Sequence, residues 1–387
     1  MSTTLYPERI ITPDATITNG CIQWDDDGTI HYIGSHTSTP DEECTIINAQ
    51  TLTAVPGMID MHVHGGFGIT FGMGELEENL RLYAKKVAQH GVTGFILTIS
   101  GPDPAFLMDR ITSYAALLEK NYDGAQPLGM HLEGPFLNPA RHGAFNPDWM
   151  REISQAEIQG YIDAGRGWIK HVSLAPELKG SAQAAILLKH NGVRAALGHS
   201  DTDYDTAAQA LCGEFTHVTH TFNAQSGFHH RQPGVIGAIL SSENVSAELI
   251  ADGQHVHPAA MRILIRCLGA GRVCLITDAM PGAGLPDGSF ELLGQKVQVT
   301  DGTARLPDGT FAGSTALMDD CLRNMLKLAD VALPDAARMA ATNPACVLGY
   351  GNTLGRLAKG YMANITLLDE SMQVKMTIKQ GKMIFKE

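Results

Sequence analysis

The sequence predicts an α/β protein, a (β/α)8 TIM barrel carrying a small β-sandwich domain formed by both chain ends. Three observations lead there. Eight short apolar runs, each stopping at polar residues, alternate with amphipathic stretches through the middle of the chain. Both ends are rich instead in short alternating patterns typical of strands. Histidines and carboxylates recur where the apolar runs stop, and a barrel gathers such residues at the C-terminal face of its strands. At 387 residues the chain exceeds the roughly 250 that a barrel alone needs, which leaves room for an accessory domain.

The first part of that domain is assigned to residues 1–55. Segments 17–24 and 30–34 alternate apolar and polar side chains between Asp/Gly turns, the period of half-buried strands. The second part, 351–387, repeats the style at 364–368 and 374–378, with turns at Gly360 and Gly381.

The barrel is assigned to residues 56–350. Its expected strands are 58–64, 94–99, 128–133, 169–175, 194–199, 215–220, 247–252 and 272–278. Amphipathic stretches at 80–89, 104–119, 182–190 and 258–267 supply helices between them, and such alternation implies a parallel sheet. After the eighth strand an insertion, about 284–313, carries Asp287-Gly288, Asp301-Gly302 and Asp308-Gly309. These dipeptides favour hairpin turns, so one or two β-hairpins are expected before a helix near 315–328.

Composition narrows the function classes. Hydrophobic content of 44% and charged content of 18% suit a globular protein with a large core. A formal net charge of −13 offers no basic field for nucleic acid or an anionic membrane, so neither partner is expected. One small phosphate is still allowed, because an arginine and a few backbone amides can hold it. Seven cysteines without a C-x-x-C pair read as reduced, mostly buried thiols. The first residues lack a basic-then-apolar signal region, and no apolar run approaches the ~20 residues of a membrane span, so a cytoplasmic location is expected.

The expected strand ends hold His62 and His64, Glu133, His199, His220, Asp252 and Asp278. Imidazole and carboxylate groups are ligands for zinc, iron, manganese or cobalt. His62 and His64 are two apart on one strand, so both point to one face, as a shared metal requires. A single histidine at a strand end is more often structural, and His31, His36, His90, His171 and His190 are placed in that class. Several strand ends so occupied at once argue for a metal. Asp278 ends the run Val273-Cys274-Leu275-Ile276-Thr277 and reads either as a proton-transfer carboxylate beside the metal or as a solvated turn residue.

Val55-Pro56-Gly57-Met58-Ile59-Asp60-Met61-His62-Val63-His64-Gly65-Gly66 resembles the opening strand of the amidohydrolase superfamily. More narrowly, the chain is similar to the branch that deacetylates amino-sugar phosphates. The segments that carry this likeness are His131-Leu132-Glu133-Gly134-Pro135-Phe136, Leu174-Ala175-Pro176-Glu177 and Leu197-Gly198-His199-Ser200. Further on come Thr219-His220-Thr221-Phe222-Asn223-Ala224, Ile250-Ala251-Asp252-Gly253-Gln254-His255, Ile276-Thr277-Asp278-Ala279 and Ala312-Gly313-Ser314.

The resemblance implies roles. Glu133, His199 and His220 match the principal metal ligands, and His62 with His64 match a pair that some members use for a second ion bridged by the glutamate. The implied cofactor is one or two divalent ions per subunit, zinc first, with iron, manganese or cobalt as alternatives. Asp278 matches the general base and acid, and His255 the residue that steadies the developing oxyanion. Asn223, Ala224 and Arg231 match positions that hold the sugar phosphate, the arginine coming from the neighbouring subunit of a homodimer. Ala312, Gly313 and Ser314 are implied to line the substrate site as well. His229 and His230 would add positive charge on the same loop. One departure stands out: after Arg141-His142-Gly143 this chain has Ala144-Phe145, where many members carry a small or hydroxyl residue and a histidine. That removes a polar contact to the sugar. The implied reaction is hydrolysis of the N-acetyl group of N-acetylglucosamine 6-phosphate, with the galactosamine epimer as alternative. A metal-free, non-catalytic scaffold of the same fold is disfavoured, because every ligand position is filled.

Overall fold

The computed structural model describes residues 2–35 and 44–387; His36 lies outside the described residues. Eight parallel strands run in sequence order around one sheet: β1 (Met58–Asp60), β2 (Val92–Ile99), β3 (Gln126–Glu133), β4 (Ile169–Leu174), β5 (Arg194–Leu197), β6 (Phe215–Val218), β7 (Ser246–Ile250) and β8 (Val273–Ile276). All eight expected strands are present. The sheet closes on itself just beyond β1 and β8. There the Asp278 N–H donates to the His62 carbonyl and the His64 N–H to the Ala279 carbonyl, both at 2.9 Å. The stitch that closes the barrel is therefore made by the residues of the site itself.

These strands form because their apolar runs can be buried on both faces once helices cover the outside. All eight residues of β2 are buried. The covering helices follow the strands in turn: α1 (Leu76–Ala88), α2 (Pro104–Leu118), α3 (Gln155–Gly165), α4 (Ser181–His190), α5 (Tyr204–Cys212), α6 (Gly234–Ser241), α7 (Pro258–Leu268) and α8 (Met318–Leu328). Helix α1 turns Leu80, Tyr83, Ala84 and Val87 inward at helical spacing, with charged residues outside. Burying one such large side chain stabilises by roughly 1.5–3 kcal/mol. Helix α2 starts at Pro104, and the Asp103 carboxylate accepts the Phe106 N–H at 2.9 Å, a cap worth about 1 kcal/mol.

The chain ends hydrogen-bond into one continuous sheet. Thr45–Pro56 joins them, running parallel to Thr3–Ile11 and antiparallel to Ile365–Leu368. Leu5, Ile22, Trp24 and Ile30 from the first end share a core with Ile365, Leu367 and Ile378 from the last. Segment 17–24 is not one strand. Asn19 takes a left-handed φ of 50°, its N–H donates to the Glu8 carbonyl, and the run splits into Thr16–Thr18 and Gly20–Trp24.

The insertion forms three antiparallel strands, Gly288–Leu292, Gln295–Thr300 and Thr303–Arg305. Asp301-Gly302 turns the second pair as expected, but Asp287-Gly288 does not turn the first. That turn is Leu293-Gly294, at φ 52° and 75°, while Asp287 accepts the N–H groups of Asp301 and Gly302. The cysteines are all free, but the expectation that most are buried fails. Only Cys21, Cys274 and Cys321 are buried, and Cys212, Cys267 and Cys346 are exposed. Cys212 and Cys267 lie in the last turns of α5 and α7, where a small apolar side chain can face solvent at little cost. Among the described residues, no helix is long and apolar enough to cross a membrane.

Candidate metal centre

The strands deliver the functional side chains by breaking out of the ladder at their C-terminal ends. His199, His220 and Asp278 follow β5, β6 and β8 with left-handed φ values of 47°, 26° and 49°. A non-glycine residue in that region costs on the order of 1–3 kcal/mol, so the surroundings must hold it. They do so through the main chain. The His199 carbonyl accepts from Asn138, the His220 N–H donates to Glu248 Oε2, and the Asp278 carbonyl accepts from Ser314. Gly143, at φ 60°, brings its loop so near that a Cβ there would sit 3.3 Å from His199 Cε1.

Five side chains converge on Glu133 from opposite sides. Its Oε1 lies 2.9 Å from His220 Nε2 and 3.2 Å from His199 Nε2. Its Oε2 lies 3.0 Å from His64 Nε2 and 3.3 Å from His62 Nε2. Asp278 Oδ1 stands on that second side, 3.3 Å from His64 Nε2 and 3.4 Å from His62 Nε2. Two groups able to hold a cation result: Glu133 with His199 and His220, and His62 with His64 and Asp278. Asp278 thus falls among possible ligands, beside the proton-transfer role that the resemblance implied for it.

The centre is buried and strongly charged. Burial alone would push the Glu133 carboxyl up, but the His62 charge and hydrogen bonds from His199 and His220 hold it well below the usual range. Burial likewise works against ionised Asp278, and the nearby imidazoles of His62 and His64 bring its net value below the ordinary one. Desolvation pulls His64 down, yet hydrogen bonds to Asp278 and Glu133 raise it to about 9. Such a cluster of imidazoles and carboxylates suits a cation, and the hydrogen bonding supports the fit. His62 Nε2 is buried among carboxylates without a hydrogen-bond partner, and the Nε2 atoms of His199 and His220 face each other at 3.0 Å. Tautomers are set from behind: His199 Nδ1 donates to the Arg141 carbonyl at 2.8 Å and His62 Nδ1 to Glu248 Oε2 at 2.8 Å. Each ring is left with Nε2 facing the cluster.

The cluster opens into a cavity of about 510 Å³. Of the residues assigned to substrate, Asn223, Ala224, Ala144, Phe145, His255 and Gly313 line it. Ala312 and Ser314 do not. Both are buried, and Ser314 instead donates its hydroxyl to the Thr277 carbonyl at 2.5 Å, bracing the turn that carries Asp278. Arg231 stands away on an exposed loop, donating to His230 Nε2 at 2.7 Å. Asp252, counted among the converging strand ends, does not join the cluster. Its Oδ2 takes His255 Nδ1 at 2.7 Å, and its Oδ1 accepts the N–H groups of Gln254 and His255. Within the insertion, sequence reasoning named Ala312 and Gly313 but missed Leu292, Leu293 and Asp308 to Phe311, which form one wall. It also missed Glu248. The Phe145 ring packs edge-on against His199, centroids 5.2 Å apart, so the residue that departs from the pattern shields a candidate ligand.

The amidohydrolase family model matches residues 53–384. A curated N-acetylgalactosamine-6-phosphate deacetylase of Escherichia coli O157:H7 is 38% identical, over 85% of this chain and 86% of its own length. An N-acetylglucosamine-6-phosphate deacetylase of Vibrio furnissii is 34% identical over 93% of this chain and 90% of its own. Among solved structures, a Mycobacterium smegmatis N-acetyl-D-glucosamine-6-phosphate deacetylase variant in complex with N-acetyl-D-glucosamine-6-phosphate superposes with a TM-score of 0.91. It is 30% identical, and the match covers all of both chains.

Proposed function

This chain belongs to the amidohydrolase family, and on that premise we propose that it hydrolyses the N-acetyl group of N-acetylglucosamine 6-phosphate, releasing acetate and glucosamine 6-phosphate. The observation that carries the reading is the meeting of two ligand groups on the two oxygens of Glu133, at the floor of a cavity sized for a phosphorylated sugar.

Glu133, His199 and His220 would hold one divalent ion, and His62, His64 and Asp278 with the other Glu133 oxygen a second. Zinc is the first choice, with iron, manganese or cobalt able to substitute. Such ions supply Lewis acidity, polarising the amide carbonyl and lowering the pKa of water. The ionised Asp278 carboxylate accepts the proton of the attacking water and returns it to the amide nitrogen. The C–O bond to the carbonyl carbon forms first; once the amide nitrogen has received the proton, the C–N bond breaks, leaving the free amine and acetate. His255 steadies the developing oxyanion, and the Asp252 carboxylate at its Nδ1 fixes the orientation of the ring. Asn223 and Ala224 orient the phosphate, and Arg231 completes its cradle from the second subunit of a homodimer. The phosphate's binding energy aligns the remote amide. Cytoplasmic metabolism of amino sugars is the setting this reading implies.

One observation favours a second reading. The N-acetylgalactosamine-6-phosphate deacetylase shares 38% identity, above the 34% of the Vibrio N-acetylglucosamine-6-phosphate deacetylase. The two sugars differ at one hydroxyl. Metal analysis of the purified chain, paired with acetate release from both phosphorylated epimers and from unphosphorylated N-acetylglucosamine, tests both readings. A gluco preference, with bound metal and little turnover of the free sugar, is expected. A clear galacto preference selects the second reading, and activity indifferent to metal removal refutes both.

A further inference from the structure

Glu248, in β7, is fully buried below the metal centre and has no part in the reaction just described. Its Oε2 accepts from His62 Nδ1 at 2.8 Å and from the His220 N–H at 2.9 Å. Its Oε1 accepts from His217 Nε2 at 3.1 Å and stands 3.6 Å from His171 Nε2. One carboxylate therefore grips the ring of a ligand in one group and the backbone of a ligand in the other. The His220 contact also falls at a left-handed residue, φ 26°, whose position needs outside support.

We propose that Glu248 is a positioning residue of the metal centre, fixing His62 as its Nδ1–H tautomer and anchoring the His220 turn, and that the ion held by His62 and His64 depends on its charge. The inference rests on the metal-centre reading. A carboxylate on the outer nitrogen of a ligating imidazole locks the ring and raises its basicity, and losing it typically weakens metal binding about 10–100-fold. His171, His217 and Glu248 also lie close enough to form a ligand group of their own. Yet both Glu248 oxygens already accept hydrogen bonds, and His217 Nδ1 is engaged by Ser246 Oγ at 2.7 Å. The trio is read as a hydrogen-bonded support, not as a third ion site.

Glu248→Gln tests this with little change of shape. Its amide oxygen can still face His62 and the His220 N–H, and its NH2 can meet His217, whose proton moves to Nδ1 against Ser246. Metal-free full-length protein is titrated with Zn²⁺ against a chromophoric chelator, for wild type, E248Q, H62N and the E248Q/H62N double variant. Wild type should bind two ions, and E248Q should bind the weaker one at least 10-fold less tightly. In the H62N background, E248Q should bring much less further loss, because the route through His62 is gone. Two ions at wild-type affinity in E248Q, or an equal factor lost with and without His62, would overturn the proposal. So would three ions in wild type falling to two in E248Q, since Glu248 would then be a ligand. A wild type that binds no ion at all fails the metal-centre reading itself, which separates the two failures.

Discussion

Asp278→Asn removes one negative charge and one proton acceptor while keeping the side chain's size. In the native protein Asp278 Oδ1 lies 3.3 Å from His64 Nε2 and 3.4 Å from His62 Nε2, and its main chain is tied to His62 and Ser314. The amide preserves those backbone ties, so the turn should keep its shape. Glu133, His199 and His220 are untouched, and the ion they hold should remain. What disappears is proton transfer, which contributes typically 10²–10⁴-fold, or about 3–5 kcal/mol of barrier. We expect kcat for acetate release to fall by that factor at saturating metal, with KM within about threefold of wild type, since binding is made elsewhere in the cavity. Metal content is measured on the same samples, because Asp278 also stands in the second ligand group. If kcat stays within tenfold of wild type while one ion is retained, Asp278 is not the proton carrier and the mechanism is wrong.

Other perturbations separate the remaining parts. Replacing His62 and His64 together with asparagine should lower metal content and leave part of the activity, whereas His199→Asn or His220→Asn should abolish turnover; full activity in a His199 or His220 variant would overturn the ligand assignment. Arg231→Met should raise KM for the phosphorylated sugar about 10–100-fold, the value of a lost charge-assisted hydrogen bond, and leave the slow turnover of the free sugar unchanged. Asp252→Asn should cut kcat/KM about 10–100-fold without changing metal content, because His255 loses the carboxylate that orients its ring. His171 is held at about 4, mainly by burial, against 6.5 in the unfolded chain. Below pH 6.5 the unfolded chain takes up a proton that the folded one refuses, so this stability is full above 6.5 and is lost as pH falls towards 4, by up to about 3 kcal/mol. His171→Leu should flatten the urea-midpoint profile of metal-free protein across that window; identical profiles would refute the assignment.

Much of the barrel was legible because each strand is an apolar run that stops at a residue of different chemistry. Strand period, helix period and the catalytic-type ends all agree from Met58 to Asp278. Features set by pairing and packing rather than by local residue preference were not legible. Leu293 holds a left-handed turn that its side chain does not favour, because pairing of Gly288–Leu292 with Gln295–Thr300 demands it there. The sequence shows Ser314 in a matching segment, and only the closed barrel reveals that its hydroxyl turns back to Thr277. Glu248 reads as one polar residue in an apolar strand. Its partners, His62 and His220, are 186 and 28 residues away and meet it only across the barrel interior.

The His62–His64 pair has more than one consequence. Both Nε2 atoms lie against Glu133 Oε2 and also against Asp278 Oδ1, so the groups offered to a second ion are those that hold the charge of the proposed proton carrier. Burial by itself works against ionised Asp278, and His62 is the largest influence that offsets it. Removing the pair should therefore do two things at once: withdraw ligands from one ion, and leave Asp278 facing Glu133 with less opposing charge. The second effect would slow proton transfer even where the Glu133, His199 and His220 ion stays bound. Residual activity in the double asparagine variant should accordingly fall short of what its remaining metal predicts. Asparagine cannot take the imidazoles' place beside the Asp278 carboxylate, so added metal should recover occupancy before it recovers rate.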